Sequence, residues 1–257
     1  MTLALINEFL GMPVNAAAHG YKIDHMLEVV HWFMLILFIG WIVFFFITLF
    51  KFTAKKNPKA SYKGVKNKFS THLEISVVLV EAFLLLIIAI PLWIERVNEF
   101  PDEEKAIVVH AIAEQYGWNY HYPGADRKFG KKDPSLITSD NPIGLDRSDP
   151  DAKDDILAKT EMHLPINQEA IIRITSKDVI HNFALPHMRI AQDAIPGVEV
   201  PMWFTPVRTG EYEIICGQLC GVGHYSMKGW LMIDEDEDYK SWLKENALRQ
   251  GVQVSMK

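Results

Sequence analysis

The chain is 257 residues long, 49% apolar and acidic, with a formal net charge of −6 at pH 7 and two cysteines. That length accommodates one or two domains with a sizeable core, and the acidic balance excludes nucleic acid while suiting a basic protein partner or a plain solvated surface. No Cys-x-x-Cys-His occurs, which excludes a c-type haem attached to this chain.

Residues 1–28 carry one lysine, Lys22, and their apolar start is interrupted by Glu8. This is unlike a secretory signal peptide and reads as a short translocated tail. Val29 to Phe50, "VVHWFMLILFIGWIVFFFITLF", has no formal charge over 22 residues. At about 1.5 Å per residue it crosses a hydrocarbon core of about 30 Å. Ile75 to Ile94 is a second span, with Glu81 its one charged residue and Pro91 near its end, where a kink or stop is tolerated. The loop between them, 51–69, holds seven lysines and no acid. The positive-inside rule places it in the cytoplasm and both termini outside. Residues 29–94 are therefore expected to form a transmembrane hairpin and 95–257 an exterior domain.

That exterior part carries eighteen Lys plus Arg against twenty-seven Asp plus Glu. It opens with "EKAIVVHAIAEQYGWNYHYPG", whose alternation and closing Pro-Gly predict one long strand and a turn. A charged, Pro- and Gly-containing excursion follows from Ala125 to Asp155, too long for an ordinary connection. Strand patterns resume at "EMHLPI", "EAIIRITS", "VIHNFALP", "EVPMWFTP", "EYEIICG" and "KGWLMID". Short strands at that spacing predict a sandwich or barrel rather than a parallel sheet. "EDYKSWLKENALRQG" predicts a C-terminal helix with Tyr239, Trp242 and Leu243 on its packed face.

The chemistry concentrates in "CGQLCGVGHYSM", Cys216 to Met227, which holds both cysteines, His224 and a methionine. The spacing of the four would share a helix face, but Gly217, Gly221 and Gly223 favour a loop bent around something, at one end of a sandwich. A disulfide would use the two thiols and leave His224 and Met227 unexplained. Zinc would accept two thiolates and two imidazoles, but a thioether is a poor zinc ligand and a good copper ligand. A blue-copper site uses one thiolate; the second, one short loop away, lets two sulfurs bridge a pair of copper ions. A pair needs a second imidazole, and His181 of "DVIHNFALP" stands at a strand end ahead of the loop.

With "DVIHNFALP", "QDAIPG" and "CGQLCGVGHYSM" in that order, the sequence resembles subunit 2 of the haem-copper cytochrome c oxidases over both spans and nearly all of the exterior domain. The resemblance implies a two-helix transmembrane hairpin followed by an all-β, cupredoxin-like sandwich or barrel with a C-terminal helix, holding the two-copper centre called CuA. It implies that Cys216 and Cys220 bridge both coppers and that His181 and His224 each bind one. Met227 and the backbone carbonyl of Gln218 are then the weak ligands. Electrons would come from a c-type cytochrome, soluble or within a membrane supercomplex, and pass to haem in oxidase subunit 1, where oxygen is reduced with proton translocation. Further oxidase subunits and lipid are the other implied partners. The implied location is a bacterial inner membrane, multi-pass, with both termini periplasmic.

Two positions depart from the commonest family pattern. Gln218 replaces a Glu that helps hold a Mg or Mn ion at the subunit 1 interface, and a neutral amide is a weaker ligand for a hard cation, which puts that ion in doubt. Tyr116 replaces the first Trp of the patch where the electron arrives, while Trp118 matches the second; both tyrosine and tryptophan also simply fill sheet rims. These departures motivate the expectation of a donor other than the usual soluble cytochrome. Glu74, seventeen residues before Pro91, matches the acid at the mouth of one proton channel, or is an interfacial charge. Glu81 has no assigned family role. The runner-up reading is a membrane-anchored copper chaperone, in which the histidine follows the cysteines. A quinol oxidase subunit would lack the copper ligands, and a nitrous oxide reductase would need a second copper domain.

Overall fold

The computed structural model describes residues 5–59, 62–63 and 68–252, so part of the lysine-rich loop lies outside the described residues. The chain divides into two compact units: residues up to Met12 with Lys22–Asn98, and Pro13–Tyr21 with Glu99 onward.

In the first unit, α1 (Leu5–Phe9) precedes α2 (Gly20–Lys51). Helix α2 begins nine residues before the apolar run, because its polar first turns find partners. Lys22 Nζ pairs with Glu95 at 2.5 Å. The buried Glu28 carboxylate accepts the backbone N–H groups of Ile6 and Asn7 at 3.1 and 3.0 Å, and Trp32 Nε1 at 3.0 Å. Those amides belong to the first turn of α1, where no intrahelical acceptor exists. The second span is likewise longer than its apolar run: α3 (Phe69–Phe83) continues through a π-helical turn, Leu84–Ala89, into α4 (Ile90–Asn98). Pro91 neither stops nor ends this helix. It has no N–H to donate and its ring crowds the carbonyl four residues back; the π turn, in which Ile90 N–H reaches Leu85 O, widens the helix just before it. Both helices are long and apolar enough to cross a membrane, and their apolar windows have no residue buried inside the chain.

The second unit is a sandwich of two five-stranded sheets closed by a C-terminal helix. One sheet runs β3 (Ile156–Lys159), β2 (Gly117–Tyr122), β1 (Ile107–Glu114), β5 (Ala170–Ser176), β8 (Val200–Phe204). The other runs β4 (Glu161–Pro165), β10 (Lys228–Asp234), β9 (Gly210–Cys216), β6 (His181–Leu185), β7 (Ile190–Ala194). Alternate residues of each strand point inward. Val109, Ala111, Trp118, Tyr120, Ile172, Ile174, Phe183, Ile214 and Leu231 form one core. The β1–β5 and β10–β4 pairs are parallel, so both sheets are mixed.

The expected single strand before Pro123 is instead the β1–β2 hairpin, reversed at Gln115–Tyr116, whose peptide is cis. Ala113 pairs with Trp118 across it and both face the core. The apolar alternation therefore continues through the turn and hides it.

Two further features position the site's scaffold. The excursion is not loose: Asp155, fully buried, accepts His121 Nε2 at 2.6 Å and the Gly130 N–H at 2.8 Å, and Ile143, Leu145 and Ala152 pack on Ile112. It covers the outer face of the hairpin, where His110, Ile112 and His121 need shielding. Residues 13–21 seat in the β unit: Ala16 N–H donates to His187 O, Ala18 N–H to Thr205 O and Val207 N–H to Ala16 O, with Ala16 and Ala17 fully buried. Helix α5 (Asp236–Arg249) packs through Trp242, stacked on His163 at 4.2 Å between ring centroids.

Candidate metal centre

Three strand ends meet at one end of the second sheet. Strand β9 stops at Cys216, β10 starts at Lys228, and the Phe183–Cys216 pairing brings the first residue of β6, His181, to the same edge. Between β9 and β10 the chain forms a loop with a short 3-10 turn at His224–Ser226. Gly217 lets this loop pass Asn182, whose side-chain oxygen lies 2.6 Å from where a Cβ would stand.

The donors converge. Cys216 Sγ and Cys220 Sγ are 3.9 Å apart and both cysteines are free. His181 Nδ1 lies 3.8 Å from Cys216 Sγ, and His224 Nδ1 lies 3.7 Å from Cys220 Sγ. Met227 Sδ is 3.7 Å from Cys220 Sγ, and the Gln218 carbonyl oxygen is 3.2 Å from Cys216 Sγ. His181, Cys216, Cys220 and Met227 are buried, while Gln218 turns its side chain to solvent.

The His181 ring is held from behind. Its Nε2 donates to Asp178 Oδ1 at 2.9 Å, and Asp178 also accepts the N–H groups of Val179 and Gln115 at 2.7 Å each. Burial alone would push the Asp178 carboxyl up, but these hydrogen bonds, His181's first among them, hold it below the usual carboxylate range. An ionised Asp178 keeps the proton on Nε2 and leaves the Nδ1 lone pair facing the sulfurs, the carboxylate–histidine arrangement of metal ligands. Asp178 escaped the sequence reading; its signal was the carboxylate three residues before the histidine.

The donor set fits copper. Burial first, then the Cys216 sulfur, push the Cys220 thiol up, so two neighbouring thiolates here require a cation between them. Three sulfurs and two imidazoles are soft to borderline donors. The six donors exceed what one four-coordinate ion uses, and each sulfur has its own imidazole.

Among the other residues singled out, Tyr116 is 39% exposed and lies on the loop, its ring atoms within 2.5–2.8 Å of where a Cβ on Gly223 would stand. Trp118 is 2% exposed and sits beneath the surface, with centroids 6.2 Å from His181 and 5.0 Å from Phe183. It meets the site from the core and offers a partner no surface. Glu74 lies on α3 in the other unit, with its side chain exposed.

Two mixed sheets enclosing an apolar core, with a soft-donor loop at one end and two membrane-length helices before them, define a membrane-anchored, copper-type cupredoxin-like protein. The family model for "Cytochrome C oxidase subunit II, periplasmic domain" matches residues 107–233. The alternative cytochrome c oxidase subunit 2 of Bradyrhizobium diazoefficiens is 30% identical over 234 residues, covering 91% of this chain and 83% of that protein. The cytochrome c oxidase subunit 2 of Cereibacter sphaeroides is 25% identical, covering 84% and 75%. Among solved structures, the periplasmic domain of subunit II of cytochrome oxidase of Bradyrhizobium japonicum aligns at 28% identity with a TM-score of 0.43, over 58% of this chain and 97% of that one. The chain belongs to the cytochrome c oxidase subunit 2 family.

Proposed function

We propose that this chain is the electron-accepting subunit of a respiratory cytochrome c oxidase. It would take single electrons from a c-type cytochrome, free or within a membrane complex, and pass them to haem in subunit 1, where oxygen is reduced. The observation that carries this reading is the paired donor set: two sulfurs 3.9 Å apart, each faced by its own imidazole Nδ1. A copper pair held there would store one electron with its charge spread over two ions and two thiolates.

The protein's part is to hold that set still. Cys216 and Cys220 would supply thiolates to the coppers, His181 and His224 imidazoles, and Met227 and the Gln218 carbonyl weaker donors. Asp178 fixes the His181 tautomer, and the ends of β6 and β9 fix where His181 and Cys216 stand. Tyr116 gives a donor an aromatic contact at the loop surface, and Trp118 packs edge-on to His181 from the core side. Gln218 offers a neutral amide to the subunit 1 side, a weak ligand for a Mg or Mn ion. Glu74 is proposed as the acid at a proton-channel mouth. The acidic domain attracts a basic donor face, and that attraction weakens with salt.

The test is stopped-flow mixing of the copper-loaded full chain with a reduced c-type cytochrome. One electron accepted per chain, at a rate falling with ionic strength, supports the reading. A chain that accepts no electron but yields its copper to an acceptor protein is a chaperone instead.

A further inference from the structure

All six donors of the proposed copper site lie on the second sheet and its loops, yet the residue that ties its two arms together comes from the first sheet. We propose that Gln115, in the turn of the β1–β2 hairpin, is a positioning residue for the copper site. This rests on the copper reading above.

Gln115 makes two hydrogen bonds in different directions. Its backbone N–H donates to Asp178 Oδ2 at 2.7 Å, and Asp178 in turn holds His181. Its side-chain Nε2 donates to the Cys220 carbonyl at 2.5 Å. The segment carrying Asp178 is fixed to the same hairpin end by Lys177, whose N–H donates to Ala113 O at 3.0 Å and whose Nζ pairs with Glu114. One turn residue therefore reaches the histidine arm through its backbone and the cysteine arm through its amide.

The cysteine arm needs such a tether. Gly217, Gly221 and Gly223 flank Cys220, and glycine-rich backbone has little stiffness of its own. Within the loop, hydrogen bonds hold the His224 turn, from His224 N–H to Gly221 O and Met227 N–H to His224 O, but they leave the Cys220 carbonyl to Gln115. The neighbouring Tyr116 closes the same contact. Its Oη lies 2.6 Å from where a Cβ on Gly221 would stand, and Gly221 has φ +139, so turn and loop approach as closely as glycine permits. Gln115 is itself exposed, so exchanging its side chain leaves the core and the backbone bond to Asp178 in place. What it removes is the restraint on the Cys220 carbonyl.

The experiment compares the full chain with Gln115→Leu and Gln115→Glu, each loaded with copper. Release of copper to an excess of chelator is followed together with the electron paramagnetic resonance spectrum and the thermal midpoint of the copper-free protein. Both variants are expected to release copper about tenfold faster or more and to show an altered hyperfine pattern, with a copper-free midpoint close to wild type. Release rates and spectra equal to wild type in either folded variant would overturn the proposal. If the wild-type chain takes up no copper pair, the failure lies with the copper reading itself.

Discussion

His181 Nε2 donates to Asp178 Oδ1 at 2.9 Å, and that bond decides which imidazole nitrogen faces the sulfurs. Asp178→Asn keeps the shape but can present an amide N–H to the ring and reverse the tautomer. Copper affinity is expected to fall about 10- to 100-fold, measured by competition with a chelator of known affinity. An unchanged affinity would remove Asp178 from the site's support.

Met227 Sδ lies 3.7 Å from Cys220 Sγ, and Met227, 3% exposed, is the most buried of the three sulfur residues. Met227→Leu conserves volume and is expected to cost under about 1.5 kcal/mol of stability. Both coppers should remain, with a shifted midpoint potential, whereas Cys216→Ser should abolish the pair. Metal analysis with potentiometry separates the two; loss of copper in Met227→Leu would make the thioether a principal ligand.

The metal loop was legible in the sequence because donor types are written in residue identity: two thiols, an imidazole and a thioether within twelve residues have few other uses. The apolar spans were legible for the same reason, though their ends were not, since Glu28 and Lys22 join α2 through partners distant in sequence. The hairpin turn at Gln115–Tyr116 was hidden because inward-facing residues alternate in phase across it. Strands β3 and β7 are short and half-exposed, and carry no run of apolar alternation. The docking of Ala16 and Ala17 runs through backbone groups, which no side-chain pattern announces.

Gly223 sits against the Tyr116 ring, with ring carbons 2.5–2.8 Å from a would-be Cβ. Gly223→Ala is expected to destabilise by about 1–3 kcal/mol through overpacking. Tyr116→Ala in the same chain should relieve most of that cost. A double-mutant cycle on thermal midpoints measures the coupling, and additive effects would mean that ring and loop do not press on each other.

His110 is 6% exposed and pushed down to about 2, first by burial and then by Lys132, His121 and Arg173, with Glu199 facing it at 3.8 Å. Its imidazole stays neutral in the folded protein but takes a proton below about 6.5 once unfolded. Its stability contribution is present above that pH and is lost as pH falls from about 6.5 towards 2, at up to about 1.4 kcal/mol per pH unit. His110→Gln should flatten the fall in thermal midpoint between pH 7 and 5. An equally steep fall in the variant would assign the loss to other groups.

The loop is proposed to hold two coppers as one electronic unit. The direct measurement is copper per chain together with the electron paramagnetic resonance spectrum of the oxidised, full-length protein. Two coppers sharing one unpaired electron over two equivalent nuclei, seen as a seven-line hyperfine pattern lost on Cys216→Ser, is the predicted result. One copper with a four-line pattern, or a loop that closes as a disulfide and takes no copper, would contradict it.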